Sequence, residues 1–270
     1  MVTDDATPPP PSFFTSKNGQ TLTPEPLAIS PWSTSQVGGY AVCGVLARAI
    51  EAVAQDGELV PLRFTVDLCA PVDVAGVEAH AVEVRRSPRL RLVDATVGRG
   101  EDVTARGRAV YAAPSEEPPG QVWRRRDALP EPPDCDDEPA PPLFMSDGAS
   151  WSGSFAAHQN SNRKAVWQRF PPLVAGEEIS PFVRAAVMAE TTSLVCHWGS
   201  AGAGFINIDT TLALTRLPLG VGLGLIADHQ RSRSGLSIGV ATMFDRDGYI
   251  GTCAVTAIAN ARRQLNLGSQ

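Results

Sequence analysis

Apolar positions recur at helical spacing through two stretches of the chain. The first runs from Val37 to Val53, with Val37, Tyr40, Ala41, Val42, Val45, Leu46, Ala49, Ile50 and Val53 spread around nearly its whole circumference. The second runs from Phe182 to Val195. Both predict helices. An apolar face this wide must be wrapped by other structure, because one flat neighbour covers only a stripe. A Ser-Pro pair precedes each stretch, Ser30-Pro31 and Ser180-Pro181. Proline in a first helical turn loses no hydrogen bond and serine caps the free amides, so both pairs read as helix starts. After each helix the period changes to two. Phe64-Thr65-Val66-Asp67-Leu68 alternates as a half-buried strand; Phe205-Ile206-Asn207-Ile208-Asp209 alternates less cleanly and runs on to Leu214.

The landmarks beyond these strands repeat in order. Pro71 is followed by Ser87, and Pro218 by Ser234, at the same separation. A turn then falls at Gly98-Arg99-Gly100 and at Asp245-Arg246-Asp247-Gly248, where glycine accepts positive φ. A last strand follows each turn, Val103 to Tyr111 and Tyr249 to Ala259. Four landmarks in one order predict a tandem duplication. Prolines divide the copies. Residues 1–12 carry four consecutive prolines and read as an arm; nine prolines between Pro114 and Pro142 make residues 113–150 a surface linker without long regular structure. The organisation predicted is an arm (1–12), a unit at 13–112, a linker (113–150) and a unit at 151–270.

Composition narrows the class. The 270 residues are 43% hydrophobic, enough for a real core, and carry a net charge of −6, which disfavours a nucleic-acid partner. No apolar run reaches the length of a membrane span, and the acidic, proline-rich start is the reverse of a signal peptide. Five scattered Cys without a CxxC pair suggest reduced thiols and a cytoplasmic protein. The four His, at 80, 158, 197 and 229, have no metal-ligand spacing, so neither a metal nor a cofactor is expected.

One helix plus about five antiparallel strands in each unit predicts an α+β fold in which a curved sheet wraps a long helix. That is the hotdog arrangement, and two copies make a tandem double hotdog. The order of elements resembles the acyl-CoA thioesterase II family and related actinobacterial thioesterase-like proteins. The likeness covers roughly residues 25–112 and 165–262. It is carried by Gly38-Gly39-Tyr40, by Asn207-Ile208-Asp209 through Arg216-Leu217-Pro218, and by Tyr249-Ile250-Gly251-Thr252.

The resemblance implies hydrolysis of a fatty acyl-CoA, or an acyl-carrier thioester, by an activated water. The family's site uses an Asp on the second helix, a Thr or Ser on the next strand and a Gln on the last strand. These positions fall at Glu190 or Thr191, at Asn207 and at Thr256. Glu190 is the only carboxylate on its helix after the first turn, and an apolar setting would raise its pKa toward that of a useful base. Asn207 offers both a donor and an acceptor. Gly38 and Gly39, with Tyr40, open the first helix to a thioester, and Arg231 and Arg233 lie at a turn where they could meet coenzyme A phosphates. None of the three family residues is unchanged, so a non-catalytic acyl-thioester-binding double hotdog stands as the alternative. Open sheet edges predict a homodimer. Other strings carry less. Cys196-His197 are helix neighbours that point ~100° apart and form no dyad. Gly220-Val221-Gly222-Leu223-Gly224 lacks the strand–turn–helix setting of a dinucleotide site. His158-Gln159-Asn160 reads as a loop or edge.

Overall fold

The computed structural model describes residues 10–16, 19–54, 58–99, 102–124, 128–135 and 138–269. Two short strands, β1 (Phe14–Ser16) and β2 (Leu22–Pro24), pair with each other, as do β3 (Ile29–Ser30) and β4 (Ser33–Val37). Helix α1 (Gly39–Val53) and strands β5 (Val60–Leu68), β6 (Ala79–Arg86), β7 (Leu90–Arg99) and β8 (Asp102–Ala112) complete the first half. The second half begins with β9 (Ala140–Ser146), β10 (Ala149–Ser152), the one-turn helix α2 (Phe155–His158) and β11 (Lys164–Arg169). Helices α3 (Pro181–Glu190) and α4 (Thr192–His197) follow, with the short pair β12 (Trp198–Gly199) and β13 (Gly202–Ala203). Strands β14 (Phe205–Asn207), β15 (Asp209–Leu214), β16 (Gly222–Arg233), β17 (Leu236–Asp245) and β18 (Gly248–Ala259) close the chain.

The large strands join in one antiparallel sheet ordered β10-β9-β11-β16-β17-β18-β15-β5-β8-β7-β6, with β14 beside β18. The halves meet where β15 pairs β5, Asp209 opposite Asp67 and Ala213 opposite Arg63. On either side of this seam the order repeats: β5-β8-β7-β6 in one direction, β15-β18-β17-β16 in the other. This is the double hotdog that the sequence predicts. Ser87 and Ser234 fall at the equivalent hairpins β6–β7 and β16–β17, and the two glycine-bearing turns fall at β7–β8 and β17–β18. Gly100 lies outside the described residues, as do residues 1–9 of the arm.

The two central helices pack on each other beneath the sheet. Gly44 permits the close approach, since a Cβ there would lie 2.7 Å from both Leu173 and Val187. Ala41, Val42, Val45, Leu46 and Ile50 of α1 and Phe182, Val183 and Ala185 to Ala189 of α3 are buried in one continuous core. Tyr111 and Phe64 close edge-on against Phe182, so aromatic side chains of the first half anchor the second helix.

Several expectations change. Ser180 caps α3 as predicted, accepting from the Val183 amide at 3.1 Å with Pro181 behind it. Ser30-Pro31 does not start a helix. It forms the β3–β4 turn, where Ser30 Oγ takes the Trp32 amide at 3.2 Å, and α1 begins at Gly39 without a side-chain cap. The same Ser-Pro chemistry serves a turn here because Trp32 to Gln36 carry no helical apolar period. The second helix is divided at Thr191, whose amide donates to Met188 O three residues back. The linker ends at Pro139 rather than at residue 150, because β9 and β10 occupy most of its last eleven residues. Pro141 and Pro142 are tolerated in β9 because β10 pairs only as far as Phe144 and the β11 ladder shifts between Trp167 and Arg169. Among the described residues of 113–139 there is no helix or strand.

Candidate functional site

The break at Thr191 leaves Glu190 as the last residue of α3, facing the first turn of α1. A Cβ on Gly39 would stand 2.7 Å from Glu190 Oε1, so the glycine makes room for the carboxylate at the helix start. The Gly38 amide donates to Ala28 O and the Ala41 and Val42 amides turn to Gly38 O. Among the described residues the amides of Gly39 and Tyr40 have no acceptor. They point along the helix axis from its positive end. The Tyr40 hydroxyl donates toward the carbonyls of Ile29 and Leu27, at 2.9 and 3.0 Å, and so pins the entry of α1 to the preceding segment.

Burial raises the Glu190 carboxyl to about 7; Asn207 acts in the opposite direction by favouring the charged form. Asn207 ends β14 and pairs with Ala257 of β18. Its Nδ2 is buried and lies close enough to Glu190 to favour the charged carboxylate, yet meets no acceptor in full hydrogen-bond geometry. An orphaned donor of this kind is costly unless a ligand or water meets it.

A cavity of about 980 Å³ opens onto this corner. Glu190, Asn207, Thr191, Gly38, Gly39 and Tyr40 all line it. Six of the residues singled out from the sequence therefore come together. The other three do not line it. Thr256 shares the outer face of β18 with exposed Ile258, because strand residues alternate and Val255 and Ala257 take the inner face. Its backbone instead braces the site strand, accepting from Ile208 N and donating to Asp209 Oδ1 at 2.6 Å. Arg231 and Arg233 are exposed near the tip of the β16–β17 hairpin.

Sequence reading missed most of the cavity wall. It is built by Phe13 and Trp32, by Pro139 to Pro142 and Phe144 of the supposed linker, and by Phe155, Phe170 and Leu265. The hydrophobic triplet Leu143-Phe144-Met145 after the prolines was the available signal. Phe144, Phe155 and Trp198 pack on one another, with ring centroids 4.8 to 5.7 Å apart, and stiffen that side.

The discounted strings have structural roles. Burial pushes the Cys196 thiol up to about 12, and it donates to Val240 O, while His197 Nε2 sits 2.9 Å from Ser237 Oγ. A thiol so hard to ionise is no nucleophile. Gly222 and Gly224 lie under the Trp167 and Phe244 rings, where a Cβ would collide. His158 is not in a loop or at an edge: it ends α2, fully buried, held by Ser146 at Nδ1 (3.1 Å) and Ser152 at Nε2 (2.9 Å).

Comparison with known proteins fits this architecture. Residues 28–112 match the model of the acyl-CoA thioesterase N-terminal domain. No curated protein matches the sequence. Among solved structures, the chain is similar to the tesB protein of Mycobacterium avium subspecies paratuberculosis, at 14% identity and TM-score 0.62, covering 91% of this chain and 95% of that one. It is similar to the acyl-CoA thioesterase II TesB2 of Mycobacterium marinum, at 12% identity and TM-score 0.61, over 84% and 90% of the two chains. A hot dog fold protein of Alicyclobacillus acidocaldarius aligns at 17% identity and TM-score 0.61, over 91% and 95%. The structural matches carry the double hotdog fold across both halves, and the domain match bears out the likeness to acyl-CoA thioesterases over residues 28–112.

Proposed function

We propose that this chain, of the thioesterase II type, is an acyl-CoA thioesterase that hydrolyses its substrate with a water activated by Glu190. The observation that carries this reading is the Glu190 carboxyl, raised to about 7 by burial and placed on the wall of an apolar cavity at the start of α1. A base with a pKa near the working pH accepts a proton without being too weak to hold it. Glu190 takes a proton from water as the oxygen attacks the thioester carbonyl. The carbonyl oxygen becomes negative and meets the free amides of Gly39 and Tyr40, with the Asn207 amide as a further donor. Collapse breaks the C–S bond, and Glu190 returns the proton to the leaving thiolate. The products are a carboxylic acid and a free thiol. Thr191, beside Glu190 on the wall, steadies the water through its hydroxyl in this reading.

The assay is thiol release from a panel of acyl-CoAs. The expected kcat/KM rises with pH through about 7, as Glu190 loses its proton. Tight acyl-CoA binding without turnover would favour the non-catalytic alternative, which the changed family residues motivate.

We also propose a homodimer in a cytoplasmic setting. No disulfide joins the five cysteines. No described helix is long and apolar enough to cross a membrane. Strand β6 ends the sheet with exposed Val82 and Val84, an edge that pairing would protect. Light scattering at micromolar concentration is expected to give twice the 28.6 kDa chain mass, and a monomer mass would contradict it.

A further inference from the structure

We propose that the site recognises its thioester by the acyl group and the neutral arm next to sulfur, and that the phosphates of coenzyme A are not part of recognition. This rests on the thioesterase reading above and specifies its substrate. Among the described residues lining the cavity, the one carboxylate is that of Glu190, and no Lys or Arg lines it. The rest of the wall is dominated by aromatic rings, prolines and aliphatic side chains. Phosphate recognition needs the reverse: fixed guanidinium or ammonium groups, or a cluster of amides. The two amides that α1 offers open at the helix start, where the Cβ position of Gly39 lies 2.7 Å from Glu190 Oε1, and they are assigned to the carbonyl oxygen.

Several cations beyond the wall are engaged within the fold, while Arg262 and Arg263, just before Leu265 of the wall, are exposed, so the salt dependence below tests them too. Arg48 holds Glu177 through two bonds of 2.7 Å, and Arg216 holds Asp245 at 2.6 and 2.7 Å. Lys164 donates to three oxygens of Asn160 and Asn162. Arg231 and Arg233, the residues that sequence spacing offers to the phosphates, sit near a hairpin tip three strands away from Asn207 along the sheet. The apolar volume, by contrast, is at the upper end of what ligand sites enclose, roughly 300–1,000 Å³. Binding free energy is therefore expected to come from the acyl chain, with KM falling by up to about four-fold per methylene until the cavity is filled.

The test compares saturated acyl thioesters of increasing chain length carried on coenzyme A and on pantetheine, which lacks every phosphate. The wild-type protein and the Arg231→Ala/Arg233→Ala double variant are assayed at low and high salt. The expected result is that pantetheine and coenzyme A thioesters of one chain length agree in kcat/KM within a few-fold. KM should fall with chain length on either carrier, and neither the double variant nor salt should move it. Turnover of acyl-CoA with a hundred-fold loss on acyl-pantetheine would overturn this proposal and leave the thioesterase reading standing. A rise in KM for acyl-CoA alone, in the double variant or at high salt, would overturn it by assigning the phosphates a partner. Failure of both carriers at every chain length would remove the thioesterase reading and this proposal with it.

Discussion

Glu190→Gln is expected to abolish thiol release and to make the protein more stable at alkaline pH. The two effects have one origin. The folded protein holds the Glu190 proton more tightly than the unfolded chain, with a pKa of about 7 against an ordinary value of 4.5, because burial penalises the charged form. Between those two values the folded state binds more protons, so wild-type stability falls as pH rises from about 4.5 to about 7, and is level above that. The difference amounts to roughly 3 kcal/mol. Glutamine has nearly the same shape and no charge to desolvate, so the variant escapes the penalty. Urea midpoints are expected to favour the variant at pH 8 and to converge with wild type near pH 4. The catalytic loss should reach about 10²–10⁴-fold, the range of a general base. A variant that keeps wild-type turnover places the chemistry elsewhere, and one without the alkaline gain in stability shows that Glu190 is well solvated. Asn207→Ala sharpens the assignment. It removes the group that favours the ionised carboxylate, so its kcat/KM should rise with pH later than that of wild type.

The pairing of Glu190 with Asn207 was legible in the sequence because it depends only on element order. A lone carboxylate at the end of an apolar helix and a polar residue on the next strand must meet if that strand packs across the helix. The Gly38-Gly39 step was legible for a similar reason, since two small residues at a helix start leave room for a close neighbour. Thr256 was misplaced because strand period, not distance along the chain, decides the face. One position either way, Val255 or Ala257, would have pointed inward. The cavity wall was hidden by composition. Nine prolines mark a segment that cannot make a helix or sit centrally in a sheet, yet Pro141 and Pro142 occur where β9 outruns its outer partner and the missing amides cost little. The duplication was read from four landmarks. The turn serines, the glycine turns and the final strands hold, while Ser30-Pro31 coincides with its counterpart in sequence but not in structure. A helix cap and a turn make the same local demand on serine, an oxygen accepting an amide two or three residues on, so the pair cannot discriminate between them.

Asp245→Ala is expected to be among the most destabilising single changes in the chain, costing about 3 kcal/mol. Both Arg216 and Asp245 entered the sequence reading as landmarks, one before a strand and one at a turn, without a link between them. The structure joins them. The Asp245 side chain is fully buried and accepts both Arg216 nitrogens, at 2.6 and 2.7 Å, in the bidentate geometry that suits a guanidinium. Its remaining capacity goes to the amides of Leu219 and Asp247, each at 2.9 Å. One carboxylate thus ties the connection before β16 to the β17–β18 turn. Burial alone would raise its pKa, but the bonds from Arg216 and from the two amides outweigh it and hold the carboxyl below the usual range. The sign is opposite to that of Glu190. A depressed pKa contributes stability that is present above the unfolded carboxylate's pKa and is lost as pH falls through the folded one. Alanine leaves two amides and a half-shielded guanidinium without their acceptor, which is why the cost exceeds that of a surface pair. Denaturation of wild type and Asp245→Ala is therefore expected to differ most at neutral pH and to draw together in acid. Arg216→Ala should add little further loss to Asp245→Ala, and should recover the part owed to the orphaned guanidinium, because the pair acts as a unit. Equal stability of Asp245→Ala and wild type at neutral pH would show that the turn stands without this carboxylate.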